Sequence, residues 1–174
     1  IRVADYTTDI EGWQIHKIGE YFQNNGNLFD GMTSADSLKG HEGFYYKRLM
    51  PVKDTTSFPK DTSIYINYTG RLLDGTVFDT TDERLAKDSG IWSSARTYEP
   101  VKINWGENYT DLTMGSNSSS VITGFALTLW QMRKFEKGIG VFTSDYGYGY
   151  SGSGENIPGF APLSFEIEVV AKPE

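Results

Sequence analysis

Tyr68-Thr69-Gly70-Arg71-Leu72-Leu73-Asp74-Gly75-Thr76-Val77-Phe78-Asp79-Thr80-Thr81 is the most informative stretch of the chain. Asp74-Gly75 supplies the positive φ of a tight turn, so Leu72-Leu73 and Thr76-Val77-Phe78 read as the two arms of a β-hairpin. Just upstream, Ser63 to Tyr68 alternates and places Ile64, Ile66 and Tyr68 on one face of a strand. Asp79 follows Phe78 directly, where a carboxylate can point into a concave face.

The β pattern continues outward from this hairpin. Phe44-Tyr45-Tyr46 opens a strand that ends at Pro51, and Val101 to Trp105 and Ile139 to Thr143 are further strands. In the last strand Leu163, Phe165, Ile167 and Val169 alternate with Ser164, Glu166, Glu168 and Val170. One short helix interrupts the series. After Ile122-Thr123-Gly124, the run Phe125 to Met132 carries good helix formers and ends in Arg133-Lys134, cations that suit the negative end of a helix dipole. Two polar stretches, 82–99 and 106–120, read as loop insertions.

The first 42 residues have a different texture. Thr8-Asp9-Ile10-Glu11 fits a capping box with Thr8 as the cap, and Ile10, Trp13, Ile18, Tyr21 and Phe22 recur at helical spacing. Asn25-Gly26 is the stop signal, and residues 26–42 look loop-like. The expected fold is therefore α+β: a mostly antiparallel sheet with one short helix, forming a domain over 43–174, preceded by a helical arm over 1–42.

Composition bounds the chemistry. The chain has 174 residues, about one domain's worth. It has no cysteine, which removes disulfides, Fe–S clusters, thiolate zinc and cysteine nucleophiles together. Its net charge of -7 disfavours nucleic-acid binding, because an acidic surface repels a phosphate backbone. Nineteen glycines beside 11 Tyr, 10 Phe and 4 Trp suit a turn-rich β protein with an aromatic-lined surface. No stretch approaches the roughly 18 apolar residues of a membrane span. The chain begins Ile1-Arg2 without Met, so a processed form is expected.

Several motifs resolve to plain structure. Gly147-Tyr148-Gly149-Tyr150-Ser151-Gly152 spells a dinucleotide fingerprint, but Ser153 to Pro158 cannot make the helix that such a site requires. A glycine-rich loop is the better reading. His16 and His41 lack partners at metal-ligand spacing and read as structural or surface residues. Asp74, Asp82, Glu83 and Asp88 read as solvated loop carboxylates, with Asp79 the exception. The sequons at Asn67, Asn108 and Asn117 carry little weight.

Taken in order, the β segments resemble the FKBP-type peptidyl-prolyl cis–trans isomerases. Tyr68 to Thr81 is similar to the signature of that family, and Val121-Ile122-Thr123-Gly124-Phe125 is similar to its helix start. Asp145-Tyr146-Gly147-Tyr148-Gly149 resembles the family's Ala-Tyr-Gly segment, and Ile157-Pro158 through Ala161, Leu163 and Phe165 its close. These four ordered matches cover most of 61–171. The resemblance implies a twisted antiparallel sheet wrapped around one short helix, with a shallow aromatic bowl between them. It implies that Tyr68, Phe78, Phe125 and Phe165 line the bowl, with Val101, Val121, Ile122 and Ile157 beside them. Phe78, Asp79 and Tyr148 are the implied catalytic residues, with Asp79 held by Tyr68 and by Arg84, the basic residue five positions on. Tyr148 offers its hydroxyl, and Ile122 its backbone N–H, to carbonyls of a bound peptide.

The implied activity is rotation about X–Pro bonds of polypeptide clients, without cofactor, metal or covalent intermediate. A peptide-binding or chaperone module with little turnover is the alternative. Macrolide inhibitors of the family are expected ligands of the bowl. The arm resembles helical extensions of bacterial, extracytoplasmic members, several of which dimerise through them. A homodimer through the arm and a periplasmic or membrane-anchored lipoprotein location follow as expectations. Four departures stand out: Val101 replaces an aromatic, Ser153 and Asn156 alter the loop after Tyr148, and Phe135 occupies the place of a usual Gly, so the turn after the helix is expected to differ.

Overall fold

Alternation of large apolar residues gives strand β2 (Ser63–Leu72) one face fit for a core, and in a computed structural model that face is buried through Ile64, Ile66, Tyr68 and Gly70. The structure describes residues 9–174. The other strands are β1 (Phe44–Met50), β3 (Val77–Thr80), β4 (Val101–Asn104), β5 (Thr113–Met114), β6 (Ser119–Ser120), β7 (Lys137–Phe142) and β8 (Leu163–Val170). They form one sheet in the order β1-β7-β8-β2-β4-β5-β6, with β3 paired to β2, and every pairing is antiparallel. β2 and β8 pair over their length from Tyr65↔Val170 to Leu72↔Leu163, which sets Gly70 opposite Phe165.

The hairpin turns as expected. Leu72 N–H donates to Thr76 O at 2.9 Å, and Gly75 takes φ 95, a conformation that a side chain would strain. Of the helices, α1 is Ile10–Asn24, α2 is Gly26–Phe29, α3 is Glu83–Asp88 and α4 is Thr123–Trp130. Helix α4 lies against one face of the sheet, and Phe125, Ala126, Leu127 and Leu129 are all buried in the main core with Ile66, Ile103, Leu163 and Ile167. Burying each such large side chain contributes about 1.5–3 kcal/mol. At Gly124 a Cβ would collide with the Phe142 ring, so this glycine lets the helix start sit on β7.

Several local readings need correction. The α1 cap is Asp9, whose carboxylate accepts from Gly12 N–H at 2.9 Å; Thr8 lies outside the described residues. Residues 26–42 include the short α2, which buries Phe29. The 82–99 stretch is not bare loop: Asp82 accepts from Leu85 N–H at 3.0 Å and starts α3. The 106–120 stretch contains a single 3-10 turn (Tyr109–Asp111) and the β5–β6 hairpin, which extends the sheet beyond β4. Arg133 and Lys134 fall beyond α4, which ends at Trp130, so they do not serve its dipole. Arg133 Nε instead donates to Thr55 O at 2.8 Å. In the turn after α4, Phe135 takes φ 62, a left-handed backbone that favours glycine.

The arm shares a core with the sheet. Ile18 and Phe22 of α1 and Phe29 of α2 pack on Tyr45 of β1 and on Ile139 and Val141 of β7. These residues lie on the face of the sheet opposite α4, since Tyr45 and Val141 are register partners and so are Phe44 and Phe142 of the main core. Period-two alternation on β1 and β7 thus explains why a second apolar layer exists.

Candidate active site

The rings contributed by β2, β3, α4 and β8 meet at one place. Phe165 makes edge-to-face contacts with Phe78 at 5.5 Å and Phe125 at 5.1 Å, and Tyr68 meets Phe125 edge-on at 5.2 Å. Phe142 stacks behind Phe165 at 5.9 Å. Such geometry is what ring quadrupoles favour. Gly70 makes it possible: a Cβ there would stand 2.6 Å from the Phe78 ring and 2.7 Å from that of Phe165. Tyr68, Phe125, Ile157 and Phe165 are buried, while Phe78, Val101, Val121 and Ile122 are partly exposed around them. Tyr148 is 37% exposed and makes no ring contact with the cluster among the described residues.

Polar groups gather at one wall of this cluster. Tyr68 Oη donates to Asp79 Oδ2 at 2.7 Å. Arg96 is ion-paired with Asp79 through Nη1 and donates from Nη2 to Tyr68 Oη at 3.2 Å. Burial, then the nearby Asp79 carboxylate, pushes the Tyr68 hydroxyl far above the ordinary tyrosine value. The same two causes in the same order raise Tyr148, which puts its hydroxyl within the field of Asp79. Both phenols therefore keep their protons at neutral pH and remain donors. Ile122 caps the N-terminal end of α4, and its N–H donates to no acceptor among the described residues.

A family model described as FKBP-type peptidyl-prolyl cis-trans isomerase matches residues 55–170. The chain belongs to this family. Its fold and its isomerase activity are those of an FKBP-type enzyme. It is 32% identical over 125 residues to FK506-binding protein 1A of Aspergillus fumigatus, covering 71% of this chain and 90% of that protein. It is 27% identical over 157 residues to the macrophage infectivity potentiator of Trypanosoma cruzi, covering 89% of this chain and 67% of that one. The crystal structure of a peptidyl-prolyl cis-trans isomerase from Pseudomonas syringae superposes with a TM-score of 0.51 at 27% identity, covering 90% of this chain and 92% of that one.

For this FKBP-type isomerase the fold gathers Tyr68, Phe78, Phe125 and Phe165, four of the five aromatic residues that the sequence singled out, and it corrects one partner. Arg84 lies exposed on α3 and does not hold Asp79; Arg96 does. The count of five from Asp79 fails because α3 is inserted between the two segments. Arg84 and Arg96 are the two arginines between Asp79 and β4, so the alternative was visible in the sequence without a means of choosing it. Arg96 is also packed over the rings of Tyr68 at 6.0 Å and Tyr98 at 5.5 Å, which the sequence did not signal. His16 pairs with Glu20 on α1, and His41 lies edge-on to Tyr109 and Tyr146. The glycine-rich run after the 3-10 turn Ser144–Tyr146 forms turns and opens no helix.

Proposed function

We propose that the Tyr68–Phe78–Phe125–Phe165 cluster is the pocket in which this isomerase turns X–Pro bonds of polypeptide clients. The supporting observation is the pairing of a desolvated ring cluster with a single polar wall, Tyr68–Asp79–Arg96. Rotation about an X–Pro bond opposes amide resonance, with a barrier of ~18–20 kcal/mol. An apolar pocket that takes the proline ring disfavours the charge-separated planar amide relative to the twisted one. Tyr148 Oη and Ile122 N–H then donate to the peptide carbonyls and favour the twisted geometry over both ground states. Phe78, Val101 and Ile122 supply the accessible apolar contact, and Val121 and Ile157 flank it. Asp79 holds Tyr68 and, with Arg96, keeps a fixed dipole at the wall. No nucleophile takes part.

A protease-coupled or NMR exchange assay on a prolyl peptide tests the reading. The wild type is expected to exceed a Phe78→Ala, Asp79→Ala, Tyr148→Phe triple variant by a wide margin; equal rates would overturn it. A second reading is peptide holding with little turnover; the low exposure of Tyr68 (7%), Phe125 (3%) and Phe165 (4%) limits how far these rings can enclose a proline. It predicts peptide binding with equal rates in the two proteins. A macrolide of the kind that inhibits the family is proposed to compete for the same rings. Self-association through the arm is the less favoured partner reading, because Ile18 and Phe22 are spent on the chain's own sheet. Light scattering on the full chain tests it. An extracytoplasmic location, in keeping with the cysteine-free sequence, is tested by cell fractionation.

A further inference from the structure

Helix α1 buries Gln14, Ile18 and Phe22 as one stripe at i, i+4 and i+8. Ile18 and Phe22 meet apolar partners, but Gln14, 2% exposed, carries an amide that is costly to bury unless both of its ends are paired. Both ends go to one residue. Gln14 Oε1 accepts from Ser144 N–H at 2.6 Å, and Gln14 Nε2 donates to Ser144 Oγ at 2.9 Å. The backbone N–H can only donate, so the orientation of the amide is fixed.

Ser144 is in turn the anchor of the loop that carries Tyr148. Its carbonyl accepts the N–H of Gly147 and of Gly149, each at 2.9 Å, and these two glycines flank Tyr148. Gly149 O then accepts from Phe160 N–H at 2.9 Å, which ties the far side of the loop to the same point. The arm therefore touches the turn that holds Tyr148 through residues 130 positions apart in the chain.

We infer that Gln14 is a positioning residue for Tyr148: the N-terminal arm sets the loop of the isomerase pocket by clamping Ser144 from both its backbone and its side chain. This rests on the reading that Tyr148 serves the pocket. An apolar side chain would fill the same space, as at positions 18 and 22, so the amide is needed for the clamp and not for docking of the helix.

The test is Gln14→Met, which keeps the length of the side chain and removes both hydrogen bonds. In the full chain, kcat/KM for a prolyl peptide is expected to fall roughly fivefold, the loss that corresponds to the single hydrogen bond that Tyr148 Oη gives the substrate. Amide exchange at Ser144, Gly147 and Gly149 is expected to quicken roughly tenfold while exchange in β2 and β8 stays as in the wild type. Combined with Tyr148→Phe, the Gln14→Met change should cost nothing further in kcat/KM, since it acts through that hydroxyl. Unchanged exchange at Gly149 overturns the clamp whatever the rates are, and a full additional loss in the double variant makes Gln14 merely structural. Wild-type turnover in Tyr148→Phe alone overturns the role of Tyr148, while the exchange measurement still decides whether Gln14 holds the loop.

Discussion

Arg96 and Asp79 are ion-paired across 17 residues of chain, and the guanidinium also reaches the Tyr68 hydroxyl that donates to the same carboxylate. The loop that follows the inserted helix α3 thus returns a cation to the wall of the aromatic cluster. Both side chains are about one third exposed, at 33% and 34%, so solvent weakens the pair.

Arg96→Ala is accordingly expected to cost about 1 kcal/mol in transition-state stabilisation, below the ~1.5–3 kcal/mol of a desolvated charge-assisted hydrogen bond because both partners are one third exposed, or roughly fivefold in kcat/KM. Arg84→Ala, on the solvent side of α3, should leave turnover unchanged. A prolyl-peptide assay on the two variants separates the partner chosen by geometry from the one chosen by counting.

Gly70→Ala drives a methyl group into the rings of Phe78 and Phe165. Overpacking of this kind costs about 1–3 kcal/mol, and here the strain falls on the pocket itself. Turnover is expected to drop far more than in Gly75→Ala, where the Cβ meets nothing within 4 Å and only the positive φ of 95 is strained. Thermal melting and the isomerase assay, run together, distinguish the two outcomes.

Phe135 holds a left-handed backbone at φ 62, and its ring is 54% exposed. Little packing is lost on removing it, whereas the steric cost of that backbone in an L-residue is roughly 1–2 kcal/mol. Phe135→Gly is expected to raise stability by about 1 kcal/mol after the glycine's greater freedom in the unfolded chain is counted, raising Tm by about 2–4 °C. Differential scanning calorimetry measures it.

Burial raises Tyr46 and Tyr68 far above the ordinary tyrosine value, helped by Glu136 in the first case and Asp79 in the second. A phenol whose value is higher in the fold than in the unfolded chain contributes stability that is fully present below about pH 10 and is lost as pH rises beyond it. The urea midpoint should therefore hold from pH 7 to 9 and fall above pH 10. Tyr68→Phe should flatten part of that fall. Turnover should stay level from pH 7 to 9, because Tyr68 and Tyr148 keep their protons.

Local chemistry made much of this protein legible from its sequence. Asp74-Gly75 dictated the hairpin, alternation in Ser63–Tyr68 and Leu163–Val169 dictated which side chains share a buried face, and the ordered motifs picked out Tyr68, Phe78, Phe125 and Phe165, which the fold brings together. The hairpin and the alternation depend on neighbours one to four residues away, so the string of residues contains them, whereas the four rings were named only through the resemblance of the ordered motifs to the family. The tertiary structure alone decided which arginine meets Asp79, what Gln14 does inside an otherwise apolar stripe, and that 106–120 extends the sheet. An inserted helix breaks any count along the chain, and a buried amide finds its partner only when α1 settles on the sheet. The physical reason is the same in each case: a charged or polar side chain is satisfied by whatever the fold brings within about 3 Å, and that distance has no relation to separation in sequence.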